Sequence, residues 1–210
     1  MIINLNLEGK KIIVVGGGNE AEKRIKSILN EKCEILVISD SINKQIKNWV
    51  KIKKIKLKKQ KIENLKFISE LKPDLIITTT NDKKINEKII NQAKKKKRLA
   101  YSSDDPDNSD FSNGAIIDFE KMIQIAIFTG GRSPVVSKKI KVKAEKVLKK
   151  IISKEDIAQI KIQKISRKLA KEIIPVQFER KECLKSIMTD NHIDQLIKDS
   201  QVKKAEKRAI

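Results

Sequence analysis

Through the N-terminal half of the chain, short unbroken apolar runs alternate with segments whose apolar residues recur every three or four positions. Lys11–Val15 (KIIVV) is a β-branched run between charge and glycine, the pattern of a strand buried on both faces. A helix is predicted over Asn19–Lys32, with Ala21, Ile25, Ile28 and Leu29 at helical spacing, and a second strand over Glu34–Ser39, ending at Asp40. Next come a helix near Ser41–Val50, a weak lysine-rich strand around Ile55–Leu57, a short helix before Pro73 and a strand over Asp74–Thr79. Lys83–Lys96 places Ile85, Ile89, Ile90 and Ala93 on one face of a helix, and Leu99–Ser103 reads as a fifth strand. Strands alternating with helices predict a parallel sheet with right-handed crossovers, covered on both sides.

The alternation stops near Pro106. Ala115–Asp118 and Met122–Phe128 read as two short strands, Gly130-Gly131 punctuates the chain, and a helix runs from Ser133-Pro134 to about Ile151. Beyond Ser153 the periodicity is helical, with one break at Ile174-Pro175. The expected organisation is an α/β domain over 1–113, a small α+β segment over 114–150 and a helical domain over 151–210. No window is long and apolar enough to span a membrane, and the N-terminus lacks the pattern of a secretory leader. Cys33 and Cys183 lie 150 positions apart with no CxxC, which predicts neither a disulfide framework nor a zinc site. A reducing cytoplasm is the expected compartment.

Charge changes the picture. The 210 residues hold 48 Lys+Arg against 27 Asp+Glu, a formal net charge of +21. The densest block, Lys44 to Lys61, has nine lysines and no acid. One reading is a lysine-rich solvated surface; the other is a field that attracts a polyanion, either a nucleic acid or a small polycarboxylate. Aromatics make up 3% of the chain and no helix-turn-helix is evident, so nucleic acid is not the expected partner and an acidic small substrate stays open.

Four motifs carry candidate chemistry. Gly16-x-Gly18-x-x-Ala21 follows a strand and opens a helix: Gly16 permits the tight turn, Gly18 lets a pyrophosphate approach, and Ala21 lets the helix pack closely. Phosphates would then sit on the free N–H groups at the helix start. Asp40 lies 24 residues after Gly16, where a carboxylate accepts hydrogen bonds from ribose hydroxyls and repels a 2′-phosphate, favouring NAD over NADP. The alternative is a bare glycine turn with Asp40 as a helix cap. Thr78-Thr79-Thr80-Asn81-Asp82 with Asn86 ends the fourth strand, where Thr79 and Thr80 would border the nicotinamide half of a site or merely form a cap and turn. Ser102-Ser103-Asp104-Asp105-Pro106 ends the fifth strand, with four acids in seven residues (Asp104, Asp105, Asp107, Asp110), suited to turn formation, a weak divalent-metal loop or a general base. Thr129-Gly130-Gly131-Arg132-Ser133-Pro134 offers backbone N–H groups to an anion, or is only a turn with Ser133 as N-cap.

Together these residues resemble a family. Leu7-Glu8-Gly9-Lys10-Lys11 before IIVVGGGNEAEKR, TTTNDKKIN (Thr78–Asn86), Asp104-x-Pro106 with Phe111 beyond it, and IAIFTGGRSP (Ile125–Pro134) occur in the order and spacing of the precorrin-2 dehydrogenase module of siroheme synthase. The resemblance covers about residues 5 to 150. It implies NAD-dependent oxidation of precorrin-2 to sirohydrochlorin by a Rossmann domain, followed by a middle segment that forms a homodimer and a helical C-terminal region. At 210 residues the sequence is not expected to include the family's fused methyltransferase domain. The resemblance implies NAD contacts at Asn19, Glu20, Asp40 and Ser41, the key acid at Asp104 and an active-site hydroxyl at Thr129; with the anion-binding reading of its turn, Thr129, Gly130 and Ser133 are the candidate substrate contacts. Precorrin-2 carries eight carboxylates, which would account for a basic cleft. The chain departs from the family at Tyr101-Ser102-Ser103, where an Asn followed by apolar residues is usual. Family members that also insert ferrous iron provide an alternative bifunctional reading, and a non-catalytic NAD-sensing or nucleic-acid-binding protein provides another. The sole histidine, His192, lies in the tail, so a dehydrogenase with weak or no chelatase activity is expected, with no resident metal.

Overall fold

A computed structural model describes residues 3–210 and divides them, by where the chain packs on itself, into two compact units meeting between Ser112 and Asn113. Met1 and Ile2, part of the stretch read as lacking a leader, lie outside the described residues.

The first unit holds five strands, β1 (Lys11–Val15), β2 (Glu34–Ser39), β3 (Lys56–Lys59), β4 (Leu75–Thr78) and β5 (Leu99–Ser102). All pair in parallel in the order β3-β2-β1-β4-β5. The apolar run explains the central place of β1: Ile12, Ile13, Val14 and Val15 are wholly buried, each side chain worth about 1.5–3 kcal/mol removed from water. Ile12 and Val14 face one core with Ala21, Ile25 and Ile28 of α1 (Asn19–Ile28) and with Ile46 and Trp49 of α2 (Lys44–Lys51). Ile13 and Val15 face the other core with Phe67 and Ile68 of α3 (Lys66–Leu71) and with Ile89, Ile90 and Ala93 of α4 (Lys83–Lys95). The lysines of β3 sit on the sheet edge, where charge discourages further strand pairing.

Two helix ends differ from expectation. The helix α1 stops at Ile28 rather than Lys32, because the chain turns through Lys32 in the left-handed region (φ 53°) to enter β2. The helix α2 starts at Lys44 rather than Ser41, because Asn43 is its N-cap and its side-chain oxygen accepts the Ile46 N–H. Asp40 is therefore not a helix cap.

In the second unit, β6 (Ala115–Phe119) and β7 (Ile123–Ile127) form an antiparallel hairpin against which α5 (Pro134–Ile151) packs. The start of α5 is capped by the Ser133 hydroxyl, with Pro134 in the first turn. The tail has more breaks than the single one expected. It folds as α6 (Lys154–Ile173), α7 (Gln177–Thr189), α8 (Asn191–Lys198) and α9 (Val202–Arg208). Besides the Ile174-Pro175 break, Asp190 stops α7 and caps α8 by accepting the His192 and Ile193 N–H groups, and Ser200 turns at φ 59°. Ala158, Ile162, Ile193, Ile197 and Ala205 form a small core among these helices. Among the described residues no helix is long and apolar enough to cross a membrane, and both cysteines are free thiols.

Candidate functional site

The turn from β1 into α1 is built by three glycines with different constraints. Gly16 adopts φ +112°, and a Cβ there would lie 2.5 Å from Thr79 Oγ1. A Cβ on Gly17 would lie 2.0 Å from the Ser41 carbonyl oxygen. A Cβ on Gly18 would meet nothing within 4 Å. Gly16 and Gly17 are therefore glycine because protein lies against them. Gly18 is bare backbone facing open space at the N-cap of α1, beside the free N–H groups of the first turn. A pyrophosphate fits that cradle, and a side chain would fill it.

Asp40 is exposed at the carboxyl end of β2, with the Ser41 hydroxyl donating to its Oδ1 at 3.3 Å. The loop carrying this pair is tied to the glycine turn, since the Asn43 N–H donates to the Gly17 carbonyl (2.9 Å) and Asn43 Nδ2 to Glu22 Oε2 (2.6 Å). Asn19, Glu22, Asn43, Lys44 and Lys47 line a solvent-open groove of about 670 Å³ between α1 and α2. Glu20 points elsewhere: its carboxylate pairs with Arg24 and Lys23. Burial opposes its charge, but the Lys23 hydrogen bond and the attraction of Arg24 outweigh this and hold its carboxyl below the usual value. Arg24 in turn lies over the Tyr101 ring, 4.9 Å from its centroid.

At the carboxyl ends of β4 and β5, the register pairs Thr78 with Ser102, so residues 24 apart in sequence share a hydrogen bond (Thr78 Oγ1 to Ser102 Oγ, 2.9 Å). Ser102 Oγ donates onward to Asp104 Oδ1 at 2.5 Å, and Asn86 Nδ2 donates to the same oxygen at 3.0 Å. Asn86 also donates to the Thr80 carbonyl (2.9 Å) and accepts from the Thr80 hydroxyl (2.6 Å). Thr79 spends its hydroxyl on the Val15 carbonyl (2.9 Å), joining this cluster to the glycine turn. The neighbouring acids serve the loop: Asp105 Oδ1 accepts the Asn108 N–H (3.2 Å), and Asp110 Oδ2 accepts the Ala100 N–H (2.8 Å). Among the described residues no group of three or more His, Cys, Asp or Glu is arranged to hold a metal ion.

Gly16, Gly18, Asn19, Asp40, Ser41, Thr79, Thr80 and Asp104 thus all lie at the carboxyl edge of one parallel sheet, where open α/β sheets bind ligands. Thr129, Gly130 and Ser133 belong to the second unit. There Thr129 Oγ1 accepts the Ser133 N–H (3.2 Å) and lies 2.9 Å from Ser137 Oγ. Sequence reasoning gave no role to Gly17, Glu22 or Asn43, whose partners come from separate elements.

Residues 3–115 match the family profile described as "Putative NAD(P)-binding". A Methanocaldococcus jannaschii protein described as "Putative precorrin-2 dehydrogenase" is 30% identical over 202 residues, covering 93% of both chains. The chain belongs to the precorrin-2 dehydrogenase family. It is accordingly an oxidoreductase that works with a nicotinamide cofactor. The precorrin-2 dehydrogenase of Priestia megaterium is 31% identical over 143 residues, covering 66% of each. A solved structure titled "SirC, precorrin-2 dehydrogenase" shares the fold, with a TM-score of 0.71 over 99% of both chains at 23% identity. The siroheme synthases that the chain also matches are longer, and it spans 30% and 40% of two of them.

Proposed function

We propose that this chain oxidises precorrin-2 to sirohydrochlorin with NAD as the hydride acceptor. The observation that carries the reading is the placement of an unobstructed Gly18 and a buttressed, exposed Asp104 at the same edge of one sheet, in a member of the precorrin-2 dehydrogenase family. The α1 N-terminus and the backbone of Gly18 hold the pyrophosphate, and Asn19 borders it. Asp40 and Ser41 take the adenosine ribose hydroxyls, and the Asp40 carboxylate disfavours a 2′-phosphate. Thr79 and Thr80 border the nicotinamide half. Bound there, NAD accepts a hydride. Asp104 receives the proton that leaves the substrate with that oxidation. The net charge of +21 concentrates a substrate bearing many carboxylates, and Thr129 and Ser133 offer it hydroxyls while Gly130 offers its backbone N–H.

We also propose that residues 114–150 form a homodimer. A hairpin of two short strands is marginal alone. Along α5, Val136, Ile140, Val147 and Ile151 are exposed in a single stripe, and Ile116 and Phe128 are exposed on and beside the hairpin. Such a face is covered in a stable assembly.

The test is anaerobic incubation of the purified protein with precorrin-2 and NAD, with the product identified by mass. A product lighter than the substrate by two hydrogens, formed in step with NADH, supports the reading. Unchanged precorrin-2 with NAD bound refutes it.

A further inference from the structure

Asp104 stands on an exposed loop, where a free carboxylate would sample many orientations, yet one of its oxygens is fixed from beneath by two buried donors. Ser102 is 2% exposed, and the lone pair of its hydroxyl is taken by Thr78, so its proton is directed to Asp104 Oδ1. Asn86 is 1% exposed, its carbonyl filled by the Thr80 hydroxyl and one N–H spent on the Thr80 carbonyl. The other N–H goes to Asp104 Oδ1. Buried polar groups are costly to leave unpaired, so each donor has one arrangement that satisfies it. Among the described residues, Oδ2 accepts no hydrogen bond. Asp105 lacks such a cradle, and its partner is the Asn108 N–H of its own loop.

We propose that Asn86 and Ser102 are positioning residues that fix Asp104 through Oδ1 and leave Oδ2 as the oxygen that takes the substrate's proton. This rests on the reading that Asp104 handles that proton. In the step, a C–H bond of the substrate breaks and its electron pair leaves with the hydrogen as hydride to NAD. A second hydrogen leaves as a proton to Oδ2, so the substrate loses two electrons and two hydrogens, and Asp104 later returns the proton to water.

The test compares Ser102→Ala, Ser102→Thr and Asn86→Ala, with Ser102→Ala and Asn86→Ala also combined with Asp104→Ala, in anaerobic turnover with precorrin-2 and in NAD titration. Each alanine variant should lower kcat about tenfold, as expected when a reacting group is loosened rather than removed, with NAD affinity unchanged. Ser102→Thr, which keeps the hydroxyl, should retain most of the rate. In the Asp104→Ala background, followed at high enzyme concentration, Ser102→Ala should lower the residual rate by less than about twofold, because nothing remains to be positioned. A loss as large in that background as in the wild type would mean that Ser102 acts through the fold and would overturn the proposal. If Asn86→Ala does not fold, the Ser102 cycle decides alone. Full-speed turnover by Asp104→Ala would refute the role of Asp104 itself. A slow Asp104→Ala beside full-speed Ser102→Ala and Asn86→Ala would refute only the positioning.

Discussion

Replacing Gly17 by alanine puts a methyl carbon 2.0 Å from the Ser41 carbonyl oxygen, 2.8 Å from Ile42 Cγ2 and 3.0 Å from Ile42 Cα. Ordinary contact begins near 3.4 Å, so the Ser41-Ile42 backbone must withdraw by about 1.4 Å. That backbone is tied to the glycine turn, since the Asn43 N–H bonds the Gly17 carbonyl at 2.9 Å and Asn43 reaches Glu22 at 2.6 Å, so withdrawal strains these bonds. Forcing extra volume into such a contact costs about 1–3 kcal/mol. For a chain of this length, that is a melting point lower by roughly 3–10 °C. Gly18→Ala is the counterpart. Its φ of −85° suits any residue and a methyl meets nothing within 4 Å. The weaker N-cap is offset by the stiffer unfolded chain, so the melting point should move by less than about 2 °C. The same methyl occupies the space of the pyrophosphate and should weaken NAD at least about tenfold, or 1.4 kcal/mol. Calorimetry and NAD titration on both variants separate the two effects. NAD binding by Gly18→Ala as tight as wild type, or an unchanged melting point for Gly17→Ala, would refute the reasoning.

Three further outcomes follow from single residues or one surface. The wild-type protein should bind NAD at least about tenfold more tightly than NADP, and Asp40→Ala should weaken NAD and shrink that ratio; equal affinities in the unmodified protein would refute the role of Asp40. Asp74 Oδ2 accepts the Lys11 N–H at 2.8 Å, and this bond, opposed by slight burial and helped by Lys10 and Arg98, holds its carboxyl below the usual value. Its stabilisation is therefore present above the unfolded carboxyl pKa of about 3.9 and is lost as pH falls through the lower folded value. Asp74→Asn should melt a few degrees lower than wild type at neutral pH, with the gap closing only below about pH 4. Sedimentation should give twice the 24.0 kDa of the chain at micromolar concentration, and Ile140→Lys with Val147→Lys on the α5 stripe should give the monomer; a wild-type monomer would defeat the dimer.

What the sequence discloses depends on how local the cause is. The strands β1 and β2 have the predicted bounds, because β-branched runs flanked by charge and glycine leave little alternative. The start of α5 was legible in Ser133-Pro134 for the same reason. The end of α1 was not, because the left-handed turn that usually selects glycine is made by Lys32 here, and Lys53, Lys72 and Lys97 do the same elsewhere. The extra tail breaks at Asp190 and Ser200 carry no proline or glycine either. At the site, the turn at Gly16 and Gly18 and the position of Asp40 could be read directly, since backbone chemistry there is written in adjacent residues. The support beneath Asp104 could not. Thr78, Thr80, Asn86 and Ser102 meet only through the β4–β5 register and the docking of α4, and the need for Gly17 arises from a loop two elements away.

The most direct measurement is the anaerobic initial rate of NADH formation from enzymatically generated precorrin-2, with wild type, Asp104→Ala and Asp105→Ala side by side. Removing a residue that transfers a proton costs about 10²–10⁴-fold in rate. NADH should form with wild type, fall by at least about 100-fold with Asp104→Ala at unchanged NAD affinity, and fall far less with Asp105→Ala. No NADH from wild type given both substrates, or a loss confined to Asp105→Ala, would contradict the account.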